Sequence, residues 1–376
     1  MRVRNYIPEL VALSVSIPHA LAWGAAGHQM VGTIAQMFLT PTTKARICDI
    51  LPENTKCHLA PLAPWADRVR NPYTGPLHYV GGAQDWPPLN CQFPGPGGWE
   101  NEERNVLVGL LNATMGVHTL TGGEQDFALR YLIHYMGDLH MPLHLTGRDR
   151  GGNNDKVRFE GTITNLHSVW DGKLITKSIR EMTNYTRPLP SRFIESALVG
   201  SIYDPYVRFI VAEGIFGWWR DEWQSWATCP QNERRPSGSR LFWPLSLVSS
   251  AQQQQQQQVM GLSDRVSGIL GVPDDLPVCP YHWAKPIHQA LNCPARATDG
   301  GVWPKHLAPT RPPQHPDDPY VELDTPEYVG AIQNAKVVEK VLAMAGVRLA
   351  AVLNTLLDPQ GGGAQEGLKV RWNTMA

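Results

Sequence analysis

The sequence predicts an all-α, mainly helical protein with a single compact domain and a metal cleft between helices. Three observations support this fold class. Apolar residues recur at helical spacing along most of the chain, strand signals are confined to one short segment, and two His-x-x-x-Asp pairs occur in helical contexts. Residues four apart share one face of a helix, so each pair presents an imidazole and a carboxylate together. Zinc takes these two ligand types in hydrolytic sites.

The helical segments can be placed from their apolar spacing and their boundary residues. Asn165 is expected to cap the helix that follows it, and Gly161 is expected to form the turn of a small hairpin at residues 157–164. Charged residues within the last helix predict an amphipathic helix and not a membrane span. Four tryptophans are expected in the core: Trp218, Trp219, Trp223 and Trp226. The predicted helices cover residues 27–39, 64–70, 105–120, 125–140, 207–226 and 336–357.

The composition is that of an ordinary globular protein. Of 376 residues, 42% are apolar and 18% are charged, which is sufficient for a full hydrophobic core. The formal net charge is −1, so the composition gives no indication of a broad basic surface for duplex DNA. A single strand remains possible as a ligand, because stacking can hold it and metal ions can supply positive charge.

Residues 1–22 read as a secretory signal peptide. Arg2 and Arg4 form its basic end, an apolar stretch follows, and Ala20 and Ala22 give the small-x-small cleavage pattern. The protein is therefore expected to be secreted and extracellular, and an even number of cysteines fits disulfide bonds. The sequons at Asn112 and Asn184 are candidate glycosylation sites. The six cysteines are Cys48, Cys57, Cys91, Cys229, Cys279 and Cys293.

The domain is expected to cover residues 23–357. Residues 232–277 contain a glutamine run and show no clear period, so they predict a disordered low-complexity insertion. Residues 358–376 are glycine-rich and predict a loose, disordered tail.

The strongest functional signal lies in residues 131–144. His134 and Asp138 are one helical turn apart, and His144 follows the break at Pro142. His167 and Asp171 repeat the pair. One such pair alone would more often be structural, but further pieces favour a metal site. These pieces are the Trp23-to-His28 segment, Asp67, His78 and the glycine turn before Asn153, whereas His118 and His140 have no place in the set.

Taken together, these motifs resemble the secreted zinc nucleases of fungi and plants, the S1/P1 nuclease family. The resemblance runs from Trp23 to about Cys229 and resumes from Cys279 to Leu357. It implies three zinc ions in one cleft. The first would bind Asp67, His78, His134 and Asp138; the second His144, His167 and Asp171; and the third His28, the shared Asp138, and the backbone nitrogen and oxygen of Trp23.

The resemblance also implies the chemistry. Zinc lowers the pKa of bound water to about 7, and hydroxide would attack a phosphodiester to give 5′-phosphate products, with some 3′-nucleotidase activity. Asp67 would orient the attacking water, and Arg70 and Asn153 would contact the phosphate. Tyr79 would stack on a base of a single strand. The family position for a base-reading aspartate is Gly81 here, and Asp85 is the nearest carboxylate.

The resemblance pairs Cys91 with Cys229, and proximity in sequence suggests Cys48 with Cys57 and Cys279 with Cys293. Expected substrates are single-stranded nucleic acid and 3′-nucleotides, acted on by a monomer that does not bind membranes. A zinc phospholipase C-like phosphodiesterase and a non-catalytic secreted zinc-binding protein are the alternatives. Asp171 favours the nuclease, because the related phospholipases carry Glu at that place.

Overall fold

The computed structural model describes residues 23–69, 72–230, 276–293, 301–304 and 320–360. The signal peptide, Arg70, nearly all of the glutamine-rich segment and most of the tail lie outside these described residues. The described part is mainly helical and contains one two-stranded sheet, so the predicted fold class is confirmed.

The described α-helices follow the predicted segments closely. Each of the predicted α-helices at 27–39, 105–120 and 336–357 agrees with an observed one to within two residues at each end. The α-helices are Ala25–Phe38, Pro41–Ile50, Leu59–Leu62, Trp65–Val69, Val106–Thr119, Gly122–Asp138, Asp149–Gly152, Leu166–Ser168, Leu174–Glu181, Arg192–Glu195, Asp204–Phe209, Pro280–Ile287, Ala331–Asn334 and Val337–Leu357.

Short 3₁₀ and wider π-helical segments connect several of these helices. The 3₁₀ turns are Gly75–His78, Pro142–Leu145 and Trp223–Ser225. The π segments are Val169–Lys173, Ile210–Trp218, His288–Asn292 and Pro326–Gly330. The predicted helix at residues 207–226 ends earlier than expected, because the α-helix Asp204–Phe209 continues only as a π segment to Trp218 and a single 3₁₀ turn follows.

Helices Ala25–Phe38 and Val337–Leu357 pack against each other in the centre of the protein. A Cβ atom at Gly346 would collide with the side chain of Ile34, so glycine permits this close approach. Glu339 and Arg348 are each only 5% exposed, and the helix is buried on nearly all sides. The amphipathic prediction therefore fails for Glu339 and Arg348, which other elements cover, whereas the Lys340 side chain is 38% exposed.

One helical stretch in the described residues, Pro326–Leu357, is long and apolar enough to cross a membrane by length and composition. Within its most apolar window, 72% of the residues are buried inside the protein. These are the properties of a core helix.

The small hairpin consists of strands Lys156–Phe159 and Thr162–Asn165, paired antiparallel with Phe159 opposite Thr162. Glu160 and Gly161 form the turn with positive φ values of 50° and 72°. A two-residue turn of this kind needs positive φ at both positions, which glycine adopts without strain. The prediction of a hairpin with Gly161 in its turn is confirmed.

Disulfide bonds join Cys48 to Cys57, Cys91 to Cys293 and Cys229 to Cys279. The first pairing was predicted. The pairings of Cys91 with Cys229 and of Cys279 with Cys293 were wrong, because the fold brings the end of the His288–Asn292 segment against the loop that carries Cys91. The sequence contains no signal for this contact, since the two cysteines are 202 residues apart.

The structure changes the predictions of glycosylation at Asn112 and of burial at Trp218. Asn112 lies inside the Val106–Thr119 helix and is only 7% exposed, so the folded protein has no room for a glycan on it. Asn184 is exposed and remains a candidate. Trp219, Trp223 and Trp226 are buried as expected, but Trp218 is 48% exposed and is not a core residue.

Candidate metal centre

Six separate segments bring the predicted ligands together. His28 lies in the Ala25–Phe38 helix, and Asp67 in the short Trp65–Val69 helix. His134 and Asp138 occupy the last turns of the Gly122–Asp138 helix. The remaining ligands lie on the 3₁₀ turns Gly75–His78 and Pro142–Leu145 and on the helical segment that begins at Leu166: His78, His144, His167 and Asp171.

The first group consists of Asp67, His78, His134 and Asp138. His134 Nε2 lies 3.3 Å from Asp67 Oδ1, 3.2 Å from Asp138 Oδ2 and 3.0 Å from His78 Nδ1. Zinc binds nitrogen and oxygen at about 2.0–2.2 Å, so two ligands of a tetrahedral ion are separated by about 3.3–3.6 Å. These four side chains are therefore spaced as the ligands of one ion would be.

His28 forms the second group with His134 and Asp138. Its ring stacks on that of His134 with a centroid distance of 3.9 Å, and its Nε2 lies 3.5 Å from Asp138 Oδ1. A Cβ atom at Gly137 would collide with the His28 ring, so the glycine creates the space that the ring fills. The same carboxylate thus faces the first and the second group through different oxygens.

His144, His167 and Asp171 form the third group. The rings of His144 and His167 are stacked at 5.2 Å, and His167 Nε2 lies 4.0 Å from Asp171 Oδ2. Asn165 caps this helix by accepting a hydrogen bond from Ser168 N at 2.7 Å, as predicted. Asp171 lies in the π segment Val169–Lys173, an irregularity that is frequent at functional sites.

Backbone carbonyls fix the orientation of two imidazoles. His134 Nδ1 lies 2.7 Å from the Ala63 carbonyl oxygen, and His167 Nδ1 lies 2.7 Å from that of Gly151. When Nδ1 donates to a carbonyl, the lone pair of Nε2 points into the site, as a metal ligand requires. Sequence patterns missed these two carbonyls, because any residue type carries one.

Within the part of the chain that the structure describes, several buried polar atoms of these groups have no hydrogen-bond partner, which bears on whether the groups fit metal ions. Buried polar atoms almost always have a partner. In this site, among the described residues, His28 Nε2, Asp67 Oδ2, Asp138 Oδ1, His144 Nδ1 and Asp171 Oδ1 are buried and accept or donate no hydrogen bond. A cluster of nitrogen and oxygen lone pairs that face one another fits cations well and fits a hydrogen-bonded network poorly.

The electrostatics agree with this donor set. Burial and the neighbouring His134 lower the pKa of His28 to about 4, and burial and His144 lower that of His167 to about 3. Burial opposes the ionised form of Asp138, yet the charge of His134 holds the Asp138 pKa well below its usual value. Neutral imidazoles and an ionised carboxylate are the forms that bind metal. Burial opposes the charged form of His134, yet Asp138 and Asp67 raise its pKa well above its usual value, so a metal ion would have to displace the His134 proton. Burial and the nearby Asp67 and Asp138 raise the pKa of Asp171 well above its usual value, so a cation is needed to keep it ionised.

Two other histidines were excluded as ligands, and the structure places both away from the groups. His118 is exposed. His140 is buried, with Nδ1 2.7 Å from the Met136 carbonyl and Nε2 2.7 Å from Arg348 Nη1. A further His/Cys group contains Cys91, His288 and Cys293, but its sulfurs are joined in a disulfide.

The other predicted site residues lie around these groups. Trp23 is fully buried, and the Gly24 N–H donates to the Asp171 carbonyl at 2.6 Å, so the start of the described chain lies beside the third group. Asn153 directly follows the glycine turn, and its Nδ2 donates to the Arg150 carbonyl at 2.8 Å. Tyr79 is 49% exposed next to His78.

Asp85 has a different environment from the one expected. It is only 3% exposed, its Oδ2 lies 2.8 Å from His288 Nε2, and its Oδ1 accepts a hydrogen bond from Gln92 N. A substrate-binding role for Asp85 conflicts with this geometry, because both oxygens are already used inside the protein. Its place at the base of a loop indicates a structural role.

The comparison with known proteins agrees with the site. The sequence model of the S1/P1 nucleases matches residues 23–232, more than half of the chain. This chain belongs to the S1/P1 nuclease family. The matched range contains all nine predicted metal-binding positions, from Trp23 to Asp171.

Plant and fungal members of the family show similar levels of identity. Endonuclease 4 of Arabidopsis thaliana is 27% identical over 247 residues, which are 61% of this chain and 76% of that protein. Endonuclease 2 of the same plant is 29% identical over 240 residues, 60% of this chain and 75% of that protein. Nuclease P1 of Penicillium citrinum is 33% identical over 169 residues, 42% of this chain and 60% of that protein.

Proposed function

We propose that this protein is a secreted, zinc-dependent endonuclease that cleaves single-stranded DNA and RNA to 5′-phosphorylated products, with additional 3′-nucleotidase activity. The observation that carries the proposal is the convergence of four imidazoles on Asp138, each with a nitrogen 3.0–3.5 Å from one of its oxygens. Three of the atoms involved, His28 Nε2, His144 Nδ1 and Asp138 Oδ1, are buried without a hydrogen-bond partner in the described structure. Membership in a nuclease family identifies the bond that such a site would cleave.

We assign three zinc ions to this centre: one to Asp67, His78, His134 and Asp138, one to His144, His167 and Asp171, and one to His28 and the shared Asp138. Bound zinc would acidify a water molecule and neutralise phosphate charge. Trp23 would complete the group of His28 and Asp138 through its backbone nitrogen and oxygen once residues 1–22 have been removed. The proximity of Gly24 to Asp171 supports this role, because it brings residue 23 to the edge of the site.

The protein side chains have separate tasks. Asp67 keeps Oδ2 free of hydrogen bonds within the described structure, so this oxygen is available to orient the attacking water. Asn153 uses one of its two amide N–H groups on Arg150, which leaves the other for a phosphate oxygen. Arg70 would stabilise phosphate charge, although it lies outside the described residues.

Tyr79 is the proposed base platform. Among the described residues it is one of the few large exposed aromatic residues, and it directly follows the proposed ligand His78. Stacking is worth about 1–3 kcal/mol per base and accepts any base. A duplex offers no unstacked base, so this geometry favours single strands. We further propose that the protein acts as a monomer away from membranes, since its apolar helix is used in the core.

The test uses the purified protein whose N-terminal sequence begins at Trp23. It is assayed on single-stranded DNA, duplex DNA and phosphatidylcholine vesicles before and after exhaustive chelation with EDTA, and again after zinc is added back. We expect cleavage of the single strand, loss on chelation and recovery with zinc. Turnover of phosphatidylcholine alone would support the phospholipase alternative, and zinc binding without any turnover would support a non-catalytic protein.

A further inference from the structure

Glu100 packs against the two segments that follow the proposed ligands His78 and His144. The segments after two ligands run next to each other, since the Val80 N–H donates to the His144 carbonyl at 2.7 Å. Glu100 joins this pair of segments through its own N–H, which donates to the Gly81 carbonyl at 2.8 Å.

The carboxylate of Glu100 fills space left by two glycines. A Cβ atom at Gly81 would collide with Glu100 Oε2, and a Cβ atom at Gly147 would collide with Oε1. These glycines come three residues after His78 and three residues after His144. The Glu100 side chain therefore lies between the segment that follows His78 and the segment that follows His144.

Glu100 shares a face of the protein with Tyr79. Tyr79 has an extended backbone, and Val80 is only 1% exposed, so Val80 points into the core. Side chains alternate along extended backbone, so a side chain at position 81 would point in the same direction as the Tyr79 ring, although Gly81 itself is buried under Glu100. Because residue 81 is glycine, the chemical group presented there is the Glu100 carboxylate.

This carboxylate is available to a ligand. Glu100 is exposed, and within the described residues its two oxygens accept no hydrogen bond. Burial of part of the side chain and the nearby charge of Asp85 raise the pKa of Glu100, which indicates that no cationic group compensates it. Donors from a bound molecule would therefore be favourable partners.

We propose that Glu100 reads the Watson–Crick edge of the base that stacks on Tyr79 and makes the site prefer guanine. A carboxylate is an acceptor with two oxygens. Guanine offers N1–H and N2–H side by side, which can engage both oxygens, whereas adenine and cytosine offer one amino group next to a ring nitrogen lone pair. Thymine and uracil offer one N–H between two carbonyl oxygens, which the carboxylate repels. The inference rests on the proposed function of the site and adds its base preference.

The test measures equilibrium binding of 5′-dGMP and 5′-TMP to the zinc-loaded protein by calorimetry, because these product-like nucleotides are not cleaved. It compares the wild type with Glu100→Gln and Glu100→Ala, and it uses Glu103→Gln, an exposed neighbouring acid, as the matched control. We expect the wild type and the control to bind 5′-dGMP about tenfold more tightly than 5′-TMP. Both Glu100 variants should reduce that ratio to about twofold or less with little change for 5′-TMP.

A second arm measures kcat/KM on single-stranded oligonucleotides with one guanine or one thymine at the cleavage site. If the wild type cleaves both oligonucleotides and its ratio of kcat/KM values, guanine over thymine, equals the ratio of the Glu100 variants, the inference about Glu100 is overturned. That result leaves the proposed function standing. If the wild type binds 5′-dGMP with the expected ratio but cleaves no oligonucleotide, the proposed function fails and the binding role of Glu100 stands. No preference for 5′-dGMP in the wild type overturns the inference.

Discussion

Oδ1 of Asp138 lies 3.3 Å from Nδ1 of His144, although the chain turns at Pro142 between the two residues. The other oxygen of the same carboxylate lies 3.0 Å from His78 Nδ1. One buried carboxylate therefore connects the three groups of proposed ligands, and its loss should affect more than one of them.

We predict that Asp138→Asn removes more than one equivalent of zinc and abolishes nuclease activity. An amide has only one weakly basic oxygen and no charge, so it cannot bridge two cations. Metal content by inductively coupled plasma mass spectrometry provides the measurement.

Asp126→Asn is the matched control for this change. Asp126 lies on the same Gly122–Asp138 helix and is also buried, but it pairs with Arg130 at 2.7 Å and contacts no proposed ligand among the described residues. The control should retain all of its zinc. Loss of a single equivalent from Asp138→Asn, or equal loss from both variants, would contradict a bridging role.

Tyr79→Ala should raise KM for single-stranded DNA by about tenfold and leave the zinc content unchanged. Removing a stacking partner costs about 1–3 kcal/mol for the base that it held, and no proposed ligand atom is removed. Steady-state kinetics and metal analysis of the same preparation measure both effects. Tyr73→Ala, which changes another exposed tyrosine at 55% exposure, should leave KM within about twofold. Similar KM values for both variants would remove Tyr79 from the substrate site.

We predict that non-reducing peptide mapping links Cys91 to Cys293 and Cys229 to Cys279. Cys91→Ser should lower the free energy of unfolding by about 2–5 kcal/mol, because this bond closes a separation of 202 residues. Cys48→Ser opens a separation of only 9 residues and should cost less. Denaturant unfolding of the two variants gives the comparison, and a peptide that links Cys91 to Cys229 would show this pairing to be wrong.

Asp155 should make the folded protein less stable as pH rises from about 4 to about 7. Burial, with a contribution from the adjacent Asp149, raises the pKa of Asp155 from 3.8 to about 7. Between these values the folded state binds more protons than the unfolded state, so the free energy of unfolding falls with increasing pH and this contribution levels off above about 7.

Asp155→Asn removes this titration. The melting temperature of the variant relative to the wild type should therefore increase between pH 5 and pH 8. Asp221→Asn changes a side chain that is 92% exposed and should show no such trend. A difference between Asp155→Asn and the wild type that does not vary with pH would mean that Asp155 is ionised in the folded protein at both values.

Local features could be predicted from the sequence because they depend on residues close together in the chain. The four-residue spacing predicted that His134 and Asp138 share one helical face. Asn165 predicted the start of the helix that carries His167, and Gly161 predicted the hairpin turn because glycine adopts positive φ without strain. Helix boundaries followed the apolar period for the same reason. The resemblance of the motifs supplied the order of the proposed ligands.

Contacts between distant segments needed the tertiary structure. The partner of Cys91 is Cys293 and the partner of Asp85 is His288, which lie 202 and 203 residues further along the chain. Burial of Asn112 and exposure of Trp218 depend on which neighbouring elements cover each helix face. No local pattern encodes these neighbours, so the sequence by itself determined the helices and the set of ligand types, and packing decided which atoms face one another around Asp138.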